Sequence, residues 1–176
     1  FMQELHVVFA IDRAGLVGND GETHNGLFDI AYMLEMPRVT VFAPRDEKTL
    51  RMAMLEASKM NAPSAIRYPR GNIKEKVFDL PDIFIGSEEY YKKRLILAVG
   101  TEYFTAKAVQ KRLFEVGIML DVQYVYDLND TIAKIEEIAG DYRELFTIED
   151  GALSGGFGEK LAARLSNTDK RIYSFG

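Results

Sequence analysis

The chain has 176 residues, of which 47% are hydrophobic and 28% are charged, and this composition is typical of a folded globular protein rather than a disordered one. Its formal net charge of -5 favours neither nucleic acid nor an anionic membrane, so an anionic ligand would need a local cluster of basic side chains. The absence of cysteine excludes a disulfide framework, a thiolate metal site and a cysteine nucleophile. No apolar run is long enough to predict a membrane-spanning helix.

The first part of the chain alternates short apolar runs with segments of helical period. Runs rich in β-branched and aromatic residues predict strands, and these runs are residues 6–12, 39–44 and 64–69. Helices are expected at 27–34 and after Asp46, a residue type that caps helix N-termini. The second of these helices carries Leu50, Met54, Ala57 and Met60 at helical spacing. Strands that alternate with helices in this way predict βαβ units in a parallel sheet.

A second alternating series follows a charged segment that is too long for an ordinary connection between a strand and a helix. This series predicts strands at 94–100, 120–126, 145–149 and 171–175 and helices at 103–116, 130–139 and 157–165. We therefore expect an α/β fold with two parallel-sheet units, made of residues 1–72 and 94–176 and joined by a linker at 73–93. Because the chain begins and ends close to predicted core strands, we also expect it to be a piece of a longer polypeptide.

Arginines stand at the ends of two predicted strands in the first unit. Arg13 follows the first strand, and Arg67 and Arg70 flank the end of the third. Open α/β sheets bind ligands at the carboxyl ends of their strands, and the planar guanidinium group suits a phosphate dianion. Two of these arginines are therefore candidates to converge on one phosphate. The alternative is that each one pairs with a nearby carboxylate such as Asp12 or Asp46.

A glycine-rich loop at 13–26 separates the first strand from the first helix and contains Asp20 and His24. A histidine held near an aspartate can donate a hydrogen bond to a hydroxyl group and move a proton near neutral pH. The structural alternative is that Asp20 closes a turn and His24 caps the following helix. A metal site is not expected, because His6 and His24 lie in different contexts and no clustered ligand spacing is present.

Another glycine-rich segment, at 154–160, precedes the last predicted helix. It lacks the spacing of a phosphate-binding loop, so close packing of a helix against a strand is the preferred interpretation. Glu149 and Asp150 end a predicted strand just before it, and we expect structural roles for both.

Three motifs in order carry a resemblance to a known family. The segments FAIDRAGLVGNDGETHNGLFD and PSAIRYPRGN closely resemble the pyrimidine-domain half of 1-deoxy-D-xylulose-5-phosphate synthases, and TIEDGALSGGFG is similar to the C-terminal domain of the transketolase superfamily. The resemblance implies that residues 1–72 are the C-terminal part of a pyrimidine-binding domain and that 94–176 are a transketolase C-terminal domain. The chain departs from the family at DVQYVYDLN, where Gln123, Tyr126 and Asp127 replace an arginine, a lysine and a proline.

The resemblance implies a thiamine-diphosphate- and Mg²⁺-dependent transferase that condenses pyruvate with glyceraldehyde 3-phosphate and releases CO2. Its product is a precursor of isoprenoids, thiamine and pyridoxal, and the complete enzyme would be a cytoplasmic homodimer. Carried over to this sequence, Arg13 and Arg70 would hold the phosphate of glyceraldehyde 3-phosphate. Asp20 and His24 would contact the hydroxyl and carbonyl groups of the acceptor or of the cofactor-bound intermediate.

The family's diphosphate- and magnesium-binding domain and its cofactor-activating glutamate have no counterpart in this sequence. We therefore expect the isolated chain neither to turn over substrate nor to bind thiamine diphosphate tightly. Two alternatives stay open: a transketolase or dehydrogenase β-subunit that needs a partner chain, and a non-enzymatic interaction module.

Overall fold

A computed structural model describes residues 5–18, 21, 23–71, 78–84 and 94–176 of the chain. The chain forms two α/β units, each built around a parallel sheet, as the alternating pattern predicts. Among these residues, no helix combines the length and apolar character needed to cross a membrane.

The first unit contains a three-stranded sheet with two helices. Its elements are β1 (Val8–Ile11), α1 (Asp29–Leu34), β2 (Thr40–Phe42), α2 (Glu47–Lys59) and β3 (Ser64–Arg67). The strands lie in the order β1-β3-β2, and both outer strands pair in parallel with β3. The carboxyl ends of β1 and β3 are therefore neighbours, because Ile11 pairs with Arg67 at the end of the ladder.

The second unit contains a four-stranded parallel sheet in the order β5-β4-β6-β7. Its elements are β4 (Arg94–Val99), α3 (Glu102–Glu115), β5 (Asp121–Val125), α4 (Leu128–Ala133), α5 (Ile135–Ala139), β6 (Glu144–Ile148), α6 (Phe157–Arg164) and β7 (Arg171–Phe175). The helix predicted at 130–139 is in fact two short helices. They are separated at Lys134, whose ψ of 9° departs from helical geometry.

The two units share one hydrophobic core. Ile30 and Val41 of the first unit pack in the same cluster as Leu97 and Leu128 of the second, and all four are at most 1% exposed. The edge of β2 is also covered by the second unit. The Ala43 N–H donates to the Tyr126 carbonyl at 2.8 Å, and the Val41 N–H donates to Asn129 Oδ1 at 2.8 Å. An edge strand that is covered in this way is protected from pairing with other chains.

Residues 78–84, in the middle of the predicted linker, lie against the second unit. The Lys107 ammonium group of α3 is buried there and donates to the carbonyls of Leu80 at 2.8 Å and Pro81 at 3.0 Å. The Val122 N–H donates to the Asp82 carbonyl at 2.8 Å, which fixes the segment beside β5. The remainder of the predicted linker, at 73–77 and 85–93, lies outside the described residues.

Candidate functional site

The loop at 13–26 is closed at its base by backbone hydrogen bonds. The Gly15 N–H donates to the Gly26 carbonyl at 2.9 Å, and the Gly26 N–H donates to the Arg13 carbonyl at 2.9 Å. Arg13 and Gly15 both have positive φ angles, of 61° and 78°, which turn the chain sharply after β1. The Ala14 N–H also donates to the Tyr68 carbonyl at 3.0 Å, so the start of the loop lies directly beside the end of β3.

A cavity of about 410 Å³ lies between this loop and the segment after β3. Its lining residues are Leu16, Val17, Gly18, Pro69, Arg70 and Gly71. Arg70 is exposed and lines this cavity at the carboxyl edge of the sheet. That is the edge where parallel α/β sheets place their ligands, so the cavity is the candidate anion site of the first unit.

Arg13 emerges next to this cavity but does not line it. Its Nη1 atom lies 2.6 Å from Asp12 Oδ2, and its backbone N–H donates to Asp12 Oδ1 at 2.7 Å. The carboxylate pairing that the sequence offers as an alternative is therefore present for Arg13. The two side chains are 38% and 46% exposed, and exposed ion pairs are weak. A phosphate dianion would compete with Asp12 for this guanidinium group.

His24 is exposed on the same loop, and its Nδ1 atom lies 2.9 Å from Thr23 Oγ1. Helix α1 starts after Phe28 and has no side-chain cap, so His24 does not cap it. An imidazole ring bonded through Nδ1 keeps Nε2 as the nitrogen that it offers to a ligand. The other predicted loop residue, Asp20, lies outside the described residues, so its relation to His24 stays a prediction.

Arg67 is not placed to bind a phosphate, because its guanidinium group is buried in an ion pair. Its Nε atom lies 2.8 Å from Asp29 Oδ2, and the two side chains are 5% and 2% exposed. Its Nη2 atom donates to the Asp150 carbonyl of the second unit at 2.8 Å. No sequence pattern predicts this contact, because Arg67 and Asp150 are 83 residues apart.

The glycine-rich segment before α6 allows the helix to pack closely against neighbouring strands, as its sequence predicts. Buried Glu149 accepts hydrogen bonds at 2.9 Å from the N–H groups of both Phe157 and Gly158, so the start of α6 is already satisfied by a carboxylate. Burial raises the pKa of Glu149, and these two hydrogen bonds oppose that shift. A Cβ atom at Gly158 would overlap the side chains of Thr147 and Ser174, so α6 packs tightly on β6 and β7.

Two of the residues that depart from the family pattern, Tyr126 and Asp127, lie at the junction of the two units. The Tyr126 ring lies against the Phe42 ring, with centroids 5.3 Å apart. Asp127 caps α4 by accepting the Asp130 N–H at 2.9 Å. Neither side chain lines the cavity beside Arg70, and the same is true of Gln123.

The described residues include no cluster of metal-ligating side chains. Mg²⁺ sites in proteins use carboxylates together with phosphate oxygens and water. Within the described ranges, no group of three or more acidic or histidine side chains is placed to hold a metal ion. The buried carboxylate of Glu149 is engaged by the start of α6.

Known proteins that resemble this chain indicate its family. The family model described as "Transketolase, pyrimidine binding domain" matches residues 1–76. A "1-deoxy-D-xylulose-5-phosphate synthase 1" from Geobacter metallireducens is 38% identical over 169 residues, which cover 89% of this chain and 26% of that protein. The 1-deoxy-D-xylulose-5-phosphate synthase of Halothermothrix orenii is 37% identical over 97% of this chain and 28% of its own length.

Solved structures agree on the fold. A chain of a structure titled "Split gene transketolase, inactive beta4 tetramer" superimposes with a TM-score of 0.75 and 26% identity, over 96% of this chain and 56% of that chain. Campylobacter jejuni transketolase superimposes with a TM-score of 0.69 and 18% identity over 96% of this chain and 27% of its own, which supports the fold alone.

The chain spans between a quarter and a third of the length of the curated relatives that it matches, with 26% and 28% covered in the two described above. The match extends through both units rather than through one motif, since 89% and 97% of this chain are aligned. The chain therefore belongs to the 1-deoxy-D-xylulose-5-phosphate synthase family of transketolase-type proteins.

Proposed function

We propose that the chain supplies the acceptor-binding part of a thiamine-diphosphate-dependent synthase that joins pyruvate to glyceraldehyde 3-phosphate with release of CO2. The observation that carries the proposal is the position of Arg70, in a cavity at the carboxyl edge of the first sheet and within a loop framework matching the family motif. A guanidinium group in such a cavity can form paired, charge-assisted hydrogen bonds with a phosphate.

In this proposal, Arg70 and Arg13 bind the phosphate of glyceraldehyde 3-phosphate. The two residues follow neighbouring parallel strands, and the loop after Arg13 runs beside the segment that carries Arg70. His24 and Asp20 contact the hydroxyl and carbonyl groups of the acceptor. His24 can serve there because an exposed imidazole both donates and accepts hydrogen bonds near neutral pH.

The remaining parts of the site come from the rest of the whole protein. Thiamine diphosphate supplies the carbanion chemistry, and its diphosphate and Mg²⁺ are held outside this chain. We propose that the complete enzyme is a cytoplasmic homodimer, and that the isolated chain neither turns over substrate nor binds the cofactor tightly. Tight binding of thiamine diphosphate to the isolated chain, measured by calorimetry, would contradict that part of the proposal.

The test replaces Arg70 in the full-length protein. We expect Arg70→Ala to raise KM for glyceraldehyde 3-phosphate by about 10- to 150-fold, because hydrogen bonds to charged groups contribute about 1.5–3 kcal/mol. KM for pyruvate should not change, since pyruvate carries no phosphate. Steady-state kinetics with both substrates measure the effect.

Unphosphorylated glyceraldehyde is the matched control substrate. Wild type and Arg70→Ala should use it equally poorly, because the phosphate contact is missing from both reactions. Equal loss of activity with the two acceptors would show that Arg70 does not bind the phosphate. Absence of any product from pyruvate and glyceraldehyde 3-phosphate with the wild-type protein would contradict the proposed reaction.

A second candidate is a transketolase that is assembled from two chains. The similarity to a chain described as a split-gene transketolase favours it, because 96% of this chain aligns with 56% of that chain. Ketol transfer from a sugar phosphate, tested in parallel with CO2 release from pyruvate, distinguishes the two reactions.

A further inference from the structure

We propose that Asp150, which follows β6 in the second unit, is a positioning residue that holds the loop beside Arg70 in the conformation that receives the acceptor's phosphate. The inference rests on the proposed function, because it concerns binding of the same acceptor. Asp150 does not line the cavity beside Arg70. It acts through the loop, whose residues Leu16, Val17 and Gly18 form one wall of that cavity.

The Asp150 carboxylate lies directly against the beginning of the loop. Its Oδ1 atom accepts the Leu16 N–H at 3.2 Å, although the two residues are 134 positions apart. A Cβ atom at Gly15 would overlap the Asp150 carboxylate, so only glycine permits this approach. Gly15 also has a φ of 78°, which glycine adopts without steric cost. Both the shape and the hydrogen bonding of this turn are therefore matched to Asp150.

The backbone of Asp150 is held independently of its side chain. Its carbonyl accepts a hydrogen bond from Arg67 Nη2 at 2.8 Å, and Arg67 is locked in its buried ion pair with Asp29. Close by, the Ala152 N–H donates to the Leu27 carbonyl at 2.7 Å, just after the loop ends. The second unit thus presents the Asp150 carboxylate from a fixed backbone, and the carboxylate does not simply follow the loop.

The wall of the cavity is held by side chains at two successive backbone positions. Asp150 binds the N–H of Leu16, and Asn25, from the far end of the same loop, binds the N–H of Val17 at 2.6 Å. Of these two anchors, only Asp150 comes from the other unit. Loss of its hydrogen bond would free the start of the loop while the Asn25 contact remained.

The charge of Asp150 is not what the site needs. A carboxylate near a phosphate repels it, so its benefit must come from accepting the Leu16 N–H. A neutral amide of the same shape provides the same acceptor. The proposal therefore predicts that Asp150→Asn preserves acceptor binding, whereas Asp150→Ala does not.

The experiment uses the full-length protein with pyruvate and glyceraldehyde 3-phosphate. We expect Asp150→Ala to raise KM for glyceraldehyde 3-phosphate by about 3- to 12-fold, the effect of losing one ordinary hydrogen bond whose strength does not depend on the charge of the carboxylate. KM for pyruvate and kcat should stay within about twofold of wild type, because only acceptor binding is affected. Asp150→Asn should restore KM, and reactions with unphosphorylated glyceraldehyde should not distinguish the variants.

Gly15→Ala provides a second test that does not depend on the folding of Asp150→Ala. A methyl group at Gly15 must displace the loop from Asp150, so KM for glyceraldehyde 3-phosphate should rise in the same way. Gly117→Ala is the matched control. Gly117 has the same φ of 78°, and no atom lies within 4 Å of its added Cβ, so that variant has the backbone strain without the contact. Its KM values should equal those of wild type.

The outcomes separate this inference from the proposed function. If KM rises for Arg70→Ala but not for Asp150→Ala or Gly15→Ala, the positioning role is wrong and the phosphate site stands. If Arg70→Ala has no effect on the acceptor, the proposed function fails instead. Parallel losses in kcat and in KM for both substrates, without rescue by Asp150→Asn, would assign Asp150 to general stability and overturn the inference.

Discussion

The three arginines at the carboxyl edge of the first sheet have different environments. Arg70 lines a cavity, Arg13 pairs with its neighbour Asp12, and Arg67 is buried against Asp29. The direction of each side chain explains the difference. Arg67 is the last residue of β3 and points towards the packed interface between the units, whereas Arg70 lies beyond the strand. The position of each arginine relative to the end of its strand therefore decides whether it faces the packed interface or the cavity.

The buried pair between Arg67 and Asp29 should contribute strongly to stability. We expect Asp29→Ala to lower the free energy of unfolding by about 3–5 kcal/mol, because removing one partner leaves a charge buried without compensation. Denaturant titration of the chain measures the change. Glu47→Ala is the control, since it breaks an ion pair with Arg51 in which both side chains are more than 60% exposed. Similar small effects for both variants would contradict the importance of burial.

Helices α2 and α3 show what sequence periodicity predicts and what it misses. Asp46 caps α2 as predicted, and it forms a reciprocal capping box with Thr49. The predicted apolar face of α2 is only partly correct, because Met54 is 60% exposed while Ala53 is fully buried. Spacing defines a helical stripe, but packing decides which stripe faces the core.

In α3 the apolar spacing predicts only part of the buried face, since Phe104 and Leu113 pack against the core. Ala108 and Val116, which follow the apolar spacing, are exposed, whereas Lys107 and Gln110 are buried. The two buried polar side chains satisfy backbone carbonyls such as that of Pro81, which both of them contact at 3.0 Å. Burial of a lysine is tolerated only where its charge is paired and hydrogen-bonded, and the Lys107 Nζ atom also lies 3.0 Å from Asp82 Oδ1. Those acceptors come from the segment at 78–84, which the sequence did not place beside α3.

The cap of α2 should make stability depend on pH. Burial alone would raise the pKa of Asp46, but hydrogen bonds from Thr49 and Arg45 lower it below its ordinary value of 3.8. Because the pKa is lower in the folded state, the ionised carboxylate stabilises the fold above pH 3.8, and this contribution is lost as the pH falls through the folded pKa.

We expect Asp46→Ala to reduce the free energy of unfolding by about 1 kcal/mol at pH 7, a typical value for an N-cap. The difference from wild type should shrink below pH 3.8. Thermal unfolding of both proteins between pH 7 and pH 3 measures this. Asp46→Asn keeps a cap that does not titrate. Its free energy of unfolding should be lower than that of wild type at pH 7, and this difference should also narrow at low pH. A difference independent of pH would mean that the charge of Asp46 is irrelevant to the cap.

At the scale of the whole molecule, the two units form one structure, and β1 lies at an edge of the first sheet. The core is continuous from α1 to α6, and the edge of β2 is covered by the second unit. Strand β1 is the opposite edge, and Val7, Val8 and Phe9 are each about 40% exposed there. A strand with apolar residues on both faces is typical of the interior of a parallel sheet. Exposed at an edge, it favours association with other chains.

We expect the isolated chain to self-associate through β1, and Phe9→Lys to reduce that association because a lysine on an edge strand opposes pairing. Sedimentation velocity over a range of concentrations measures the effect, and the thermal midpoint should change little. Val116→Lys is the control, since Val116 is 70% exposed at the end of α3, far from β1 in the sequence. If both variants, or neither, changed the association, β1 would not be the interface.

The sequence by itself determined the alternation of strands and helices, the parallel sheets and the family, because these depend on the spacing and identity of neighbouring residues. The motif around Arg13, His24 and Arg70 was likewise visible in the sequence, since each piece is short and local.

Only the tertiary structure decided which partners the charged side chains contact. Arg67 pairs with Asp29, 38 residues away in the sequence, and Asp150 accepts a hydrogen bond from the Leu16 N–H, 134 residues away. Such contacts depend on how the two units pack around their shared core, and local periodicity contains no information about that packing. For the same reason, the sequence assigned Asp150 only a structural role. Its position against the candidate phosphate-binding loop depends on the packing of the second unit against the first.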